Sequence, residues 1–205
     1  MRPIPVAFAV VLLPAAAVAA PRSYRVDAAA SLVQVHVGKS GAFSFAGHKH
    51  EVVAPALEGT VVADPDDLAA SSVSVTFTAA SLRVTGEGEP AKDVPKVQAA
   101  MVGPEVLDAA RFPAVTFRSR QVSGQAAPGG GWTLTVVGDF TLHGVTRSLS
   151  LPLRVAVEGD VLTATGRTVI GQKDFGIQPV SAAGGTVKVK NELAIEYRIV
   201  ARASE

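Results

Sequence analysis

The most persistent pattern along the chain is a two-residue alternation of apolar and polar side chains. Val33, Val35 and Val37 alternate with Gln34 and His36, and Val73, Val75 and Phe77 alternate with Ser74, Thr76 and Thr78. Val115 and Phe117 flank Thr116, and Trp132, Leu134 and Val136 alternate with Thr133 and Thr135. The longest run is Leu149, Leu151, Leu153, Val155 and Val157; Leu193, Ile195, Tyr197 and Ile199 carry the same pattern near the end. Successive side chains of a strand point to opposite faces, so each run reads as a strand with one apolar face. Val61-Val62 and the stretch from Val161 to Ile170 add two more strands. Turn-forming clusters at Asp64–Asp67, Ala126–Gly131, Glu158–Asp160 and Ala182–Gly185 separate them. Many strands joined by short turns predict an antiparallel sandwich or barrel; alternation alone does not choose between the two.

The alternation stops from Lys92 to Ala110. Val94, Val97 and Met101 have helical spacing. Gly103-Pro104-Glu105 reads as the start of a second short helix, with Pro at its first helical position. The expectation is therefore a helical insertion of one or two turns each, packed over one opening of the β structure. No linker or internal repeat divides the chain, and Gly124–Gly131 reads as a flexible hairpin loop.

The N-terminus has a different character. Arg2 precedes an apolar run from Val6 to Leu13, followed by small residues from Ala15 to Ala20. This is the layout of a secretory signal peptide over residues 1–19, cleaved after Ala19 or after Ala20. An uncleaved anchor would need a longer apolar span. The expected compartment is the periplasm, and no later stretch is long enough to give the mature chain a transmembrane span. With no Cys, the chain has neither a disulfide framework nor a lipidation site at an N-terminal Cys. The mature chain of about 185 residues is long enough for one sizeable core. Loss of Arg2 brings the formal charge of +1 to zero, and no Lys/Arg run forms a basic face. Nucleic acid is thus not an expected partner.

Candidate chemistry is sparse. No Gly-x-Ser-x-Gly elbow and no phosphate-cradling loop occur, and Glu87 and Glu89 lie in a Gly-rich loop where both would be solvated. The chain is not expected to be an enzyme. The sharpest polar feature is His48 with His50. On a strand these share a face, about 6–7 Å apart in backbone rise. They could contact a ligand's phosphate or quinone oxygen, hold a zinc or copper ion with His36 or His143 as a third ligand, or simply be solvated at a strand end. His143-Gly144 reads as a tight hairpin turn, and Asp174-Phe175-Gly176 as a capped turn with Phe175 directed inward.

Five segments in order carry a resemblance. They are Tyr24-Arg25-Val26-Asp27 with Ser31-Leu32-Val33, then Ala80-Ser81-Leu82, and the stretch from Asp108 through Phe112-Pro113 to Ser119. Gly138-Asp139-Phe140-Thr141-Leu142-His143-Gly144-Val145-Thr146-Arg147 and Lys173-Asp174-Phe175-Gly176-Ile177 complete the set. Together they resemble the YceI-like family of secreted polyisoprenoid-binding proteins, over about Tyr24 to Val200. The resemblance implies an all-β fold, an extended lipocalin-like antiparallel β-barrel over residues 23–201. It also implies a lumen holding an isoprenoid chain, either a polyprenyl lipid or an isoprenoid quinone, for transport or storage. Lys92-Asp93-Val94-Pro95-Lys96 departs from the family's usual Arg-Asp-x-His-Leu ahead of the helix, and Gly47-His48-Lys49-His50 resembles only a subset of members. Under this reading the lumen candidates are Val33, Val35, Phe43 and Phe45, then Val75, Phe77 and Phe117, and finally Leu134, Phe140 and Phe175. The same positions serve equally well in an ordinary filled core. His48 and His50 are the head-group candidates, with metal binding as the alternative. No cofactor is expected beyond the bound lipid. The oligomeric state, a homodimer included, is open.

Overall fold

The computed structural model describes residues 20–40, 50–87, 90–182 and 187–204. The strands are β1 (Arg22–Val26), β2 (Leu32–Ser40), β3 (His50–Val53), β4 (Glu58–Ala63), β5 (Ser72–Thr78) and β6 (Arg83–Val84). The helix α1 (Val94–Val102) follows, then β7 (Ala114–Ala126), β8 (Trp132–Leu142), β9 (Val145–Glu158), β10 (Val161–Gly171), β11 (Ser181–Ala182) and β12 (Val187–Ala203). Every pairing between them is antiparallel.

The sheet runs β1-β4-β5-β7-β8-β9-β10-β12, and β12 pairs back onto β1, closing a barrel of eight strands. Closure removes the free sheet edges and sends every second side chain to the interior. Three staves of the wall are each built from two segments. β2 continues β1 along β12, β3 lies above β4, and β6 lies above β5, so that β2, β3 and β6 extend the wall at one end. That end, called upper here, also carries α1, the β8–β9 turn at His143-Gly144 and the 3₁₀ turn Gln172–Phe175. The lower end carries the β4–β5 corner, with its 3₁₀ turn Leu68–Ala70, and the β7–β8 and β9–β10 hairpins.

The His143-Gly144 turn has positive φ at both residues, 51° and 72°. This is the geometry that lets a two-residue hairpin follow the twist of its strands. A side chain at Gly144 would also collide with the Phe112 ring. The helix begins with Pro95 in its first turn and presents Val94, Val97, Met101 and Val102 to the upper core.

The second helix expected from Gly103-Pro104-Glu105 does not form. Instead, the Leu107 and Ala109 amides donate back to the Met101 and Val102 carbonyls, 3.1 and 3.0 Å away. Asp108 is left-handed at φ 41°. These bonds satisfy the helix's last carbonyls and fold Leu107 and Ala109 into the core, which ends helical continuation.

Candidate ligand cavity

The barrel is filled in its upper half and hollow in its lower half. Leu82, Val84, Val115, Leu142, Phe175 and Ile177 are among the buried side chains packed beneath α1. Phe175 meets Phe140 edge to face, with ring centroids 5.5 Å apart. Below that level lies a cavity of about 360 Å³, within the range of roughly 300–1,000 Å³ common for small-molecule sites. Its walls are Val73, Val75 and Phe77 of β5, Trp132, Leu134, Val136 and Phe140 of β8, Leu149, Leu151 and Leu153 of β9, and Ile195 and Ile199 of β12. In the lower part of β10 the inward position Ala164 carries only a methyl group, flanked by Val155 of β9 and Ile199 of β12. Medium-sized and small inward residues leave this space, whereas Phe140 and Phe175 close it above.

Among the described residues, the charged side chains in the lining are Arg22 and Asp64, both at the lower rim. The Arg22 guanidinium donates to the Asp160 carboxylate and to the Gly159 carbonyl at 3.2 Å, and it lies 5.6 Å from the Tyr24 ring centroid. The Asp64 carboxylate accepts from the Asp66 and Asp67 amides, each at 3.0 Å, and the Asp64 amide donates to Ser71 Oγ at 2.9 Å. The rim is thus polar but internally satisfied. Deeper in, the polar side chains are those of Thr168 and Tyr197. Tyr197 donates its hydroxyl to the Pro152 carbonyl at 2.9 Å, and burial pushes its phenol up to about 12. Such a lining is suited to apolar burial, and no nucleophile and base meet in it.

Six of the lumen candidates, Val33, Val75, Phe77, Phe117, Leu134 and Phe140, line this cavity. Val35 and Phe175 pack in the upper core instead. Phe43, Phe45 and His48 lie outside the described residues. His50 stands on β3 opposite Val37 at the upper end, away from the lining. His36 lies on the opposite sheet face from His50: it is opposite Glu51, with Nδ1 3.3 Å from Glu51 Oε1 and Nε2 3.9 Å from Glu196 Oε1. His143 is engaged at Phe175. Neither therefore completes a metal site with His50. Among the described residues no group of three or more His, Asp or Glu is placed to hold a metal ion. Sequence reasoning did not single out Trp132, Tyr197 or the Arg22–Asp64 rim. The first two sit on the apolar face of alternating runs, and Asp64 sits in a turn cluster that the sequence marks.

No helix among the described residues is long and apolar enough to cross a membrane. Comparison with curated proteins gives no match. Among solved structures, Burkholderia cenocepacia BcnA shares the fold at a TM-score of 0.65 and 22% identity, covering 85% of this chain and 98% of that one. The Campylobacter jejuni YCEI protein does so at a TM-score of 0.57 and 13% identity, covering 98% and 94%. The YceI-like domain description matches residues 24–201, nearly the whole of the barrel, and the chain belongs to that family.

Proposed function

We propose that the protein is an exported carrier that holds the isoprenoid chain of a polyprenyl lipid or an isoprenoid quinone in its cavity. It would shield that chain from water in the periplasm, for transport or storage. The observation that carries this reading is the cavity itself, mostly apolar along its length, with charged side chains only at the lower rim among the described residues. Burial of hydrocarbon gains roughly 0.8 kcal/mol per CH₂, so a prenyl tail binds there without any specific polar contact. The family's association with polyisoprenoid binding and the signal-like residues 1–19 support it. Because His50 is not in the lining, the head group falls to the lower rim of Arg22, Asp64, Ser71 and Ser72.

The test is native mass spectrometry of protein purified from its own compartment, with organic extraction of what it carries. A stoichiometric prenyl lipid is expected. An empty protein that also takes up no prenyl lipid in vitro refutes the reading.

A further inference from the structure

β9 and β10 are paired from Val161–Glu158 to Gly166–Leu153 and then part. Neither strand frays where they separate. β10 stays paired with β12 through Gly171, and β9 stays paired with β8 from Val145 onward. Two intact strand pairs therefore diverge along Arg167–Gly171 and Val145–Pro152, a seam about 16 Å long at a strand rise of about 3.3 Å. The 3₁₀ turn Gln172–Phe175 packs against both strands and bounds the seam above.

The cause is local. Continuing the register would set Arg167 opposite Pro152, whose nitrogen has no proton to give to the ladder. The Pro152 carbonyl takes the Tyr197 hydroxyl instead. The phenol reaches it by crossing Gly166, where any Cβ would collide with both the ring and that carbonyl. Pro152, Gly166 and Tyr197 together replace a backbone rung with a side-chain bond at the foot of the seam.

The seam lies at the level where the cavity ends. Its inner rims are Leu149 and Leu151 on β9 and Thr168 on β10, all of which line the cavity. Its outer rim includes Val169, the most exposed of the large apolar side chains described, at 56%. The barrel above is filled, so a chain longer than the cavity cannot continue along the axis. We infer that the β9–β10 seam is a side portal through which the far end of a long apolar chain leaves the barrel. The cavity is then a bent tunnel from the lower rim to the side wall, and it takes chains longer than its own depth. This inference rests on the carrier reading.

The chain has no Cys, so a pair can be introduced cleanly. Ser150 and Val169 would face each other across the seam in continued register, and both are exposed. In Ser150→Cys/Val169→Cys, a short bis-maleimide ties the rims together. Farnesol and solanesol, presented in phosphatidylcholine vesicles, are the short and long probes. The untied protein should bind both. The tied protein should keep farnesol and bind solanesol at least tenfold more weakly. Pro152→Val, which restores a donor, should shift the same ratio in the same direction without any linker. Solanesol bound equally well by the tied protein and by Pro152→Val overturns the portal and leaves the carrier reading standing. Failure of the untied protein to bind either probe overturns the carrier reading and the portal with it.

Discussion

His143 Nδ1 lies 3.1 Å from the carbonyl oxygen of Phe175. A carbonyl only accepts, so His143 carries its proton on Nδ1. The same imidazole packs against Phe112 with centroids 4.6 Å apart at 63°. Three sequence segments far apart in the chain therefore meet at one ring: Phe112-Pro113, the Leu142–Thr146 hairpin and Asp174-Phe175-Gly176. Their shared role is to tie the upper end of the barrel. His143→Ala removes the bond to Phe175 and places alanine at φ 51°. It should destabilise the protein by about 1–2 kcal/mol. His143→Asn should recover part of that loss, because Asn tolerates the left-handed region better. Urea denaturation midpoints measure both, and a wild-type midpoint for His143→Ala refutes the assignment.

Tyr197 makes an alkaline prediction. Burial raises its pKa from 10.0 to about 12. In the unfolded chain the phenol loses its proton first, so the unfolded state binds fewer protons between those values. The stability contributed by keeping the phenol neutral is full below pH 10 and is lost as pH rises toward 12. Tyrosinate absorbance should show one late-ionising tyrosine in the native protein, absent in Tyr197→Phe. Tyr197→Phe should also lose less stability than wild type over that window. Identical titration curves contradict the partly buried hydroxyl and its bond to Pro152.

At the acid end the direction reverses. Hydrogen bonds from Arg202 and the Ala30 amide hold the Asp27 carboxyl below its ordinary value of 3.8, and Arg120 does the same for Asp139. Both groups keep their charge to lower pH when folded. The stability they contribute is present above the ordinary carboxylate value and is lost as pH falls through the lowered one. Asp27→Asn/Asp139→Asn should lose stability less steeply than wild type below about pH 4. Both ion pairs are exposed, so added salt should shrink the difference. Parallel acid limbs for the two proteins count against it.

The legible part of the fold was the part with period two. The runs at Val33–Val37, Val73–Phe77 and Leu149–Val157 lie within β2, β5 and β9, with their apolar members inward. Alternation reports which face a residue takes, but it is blind to height along the barrel axis. Val33 and Val35 belong to the same run, yet one lines the cavity and the other packs in the filled half. It is equally blind to strand partners. The run from Leu149 to Val157 continues through Pro152 without a break, and nothing in its period marks where β10 departs. β3 and β6, four and two residues long, are too short to show a period at all. The second helix failed for another reason: propensity favoured it, but tertiary bonds from Leu107 and Ala109 to the end of α1 took its place.

Ala164 offers the sharpest separation of a ligand cavity from a merely loose core. Its side chain lines the hollow between Val155 and Ile199, with unfilled space in front of it. Enlarging a residue in a packed core costs about 1–3 kcal/mol through strain. Ala164→Phe instead grows into the void and buries more apolar surface there, so thermal stability should hold or rise. Uptake of a prenyl probe should fall at least tenfold, because the space that receives the chain is gone. Val75→Asp should abolish uptake as well, but with a loss of stability from the charge placed in an apolar wall. Leu32→Phe, on the exposed outer face, should change neither. Retention of full uptake by a stably folded Ala164→Phe would place the ligand elsewhere than in the barrel.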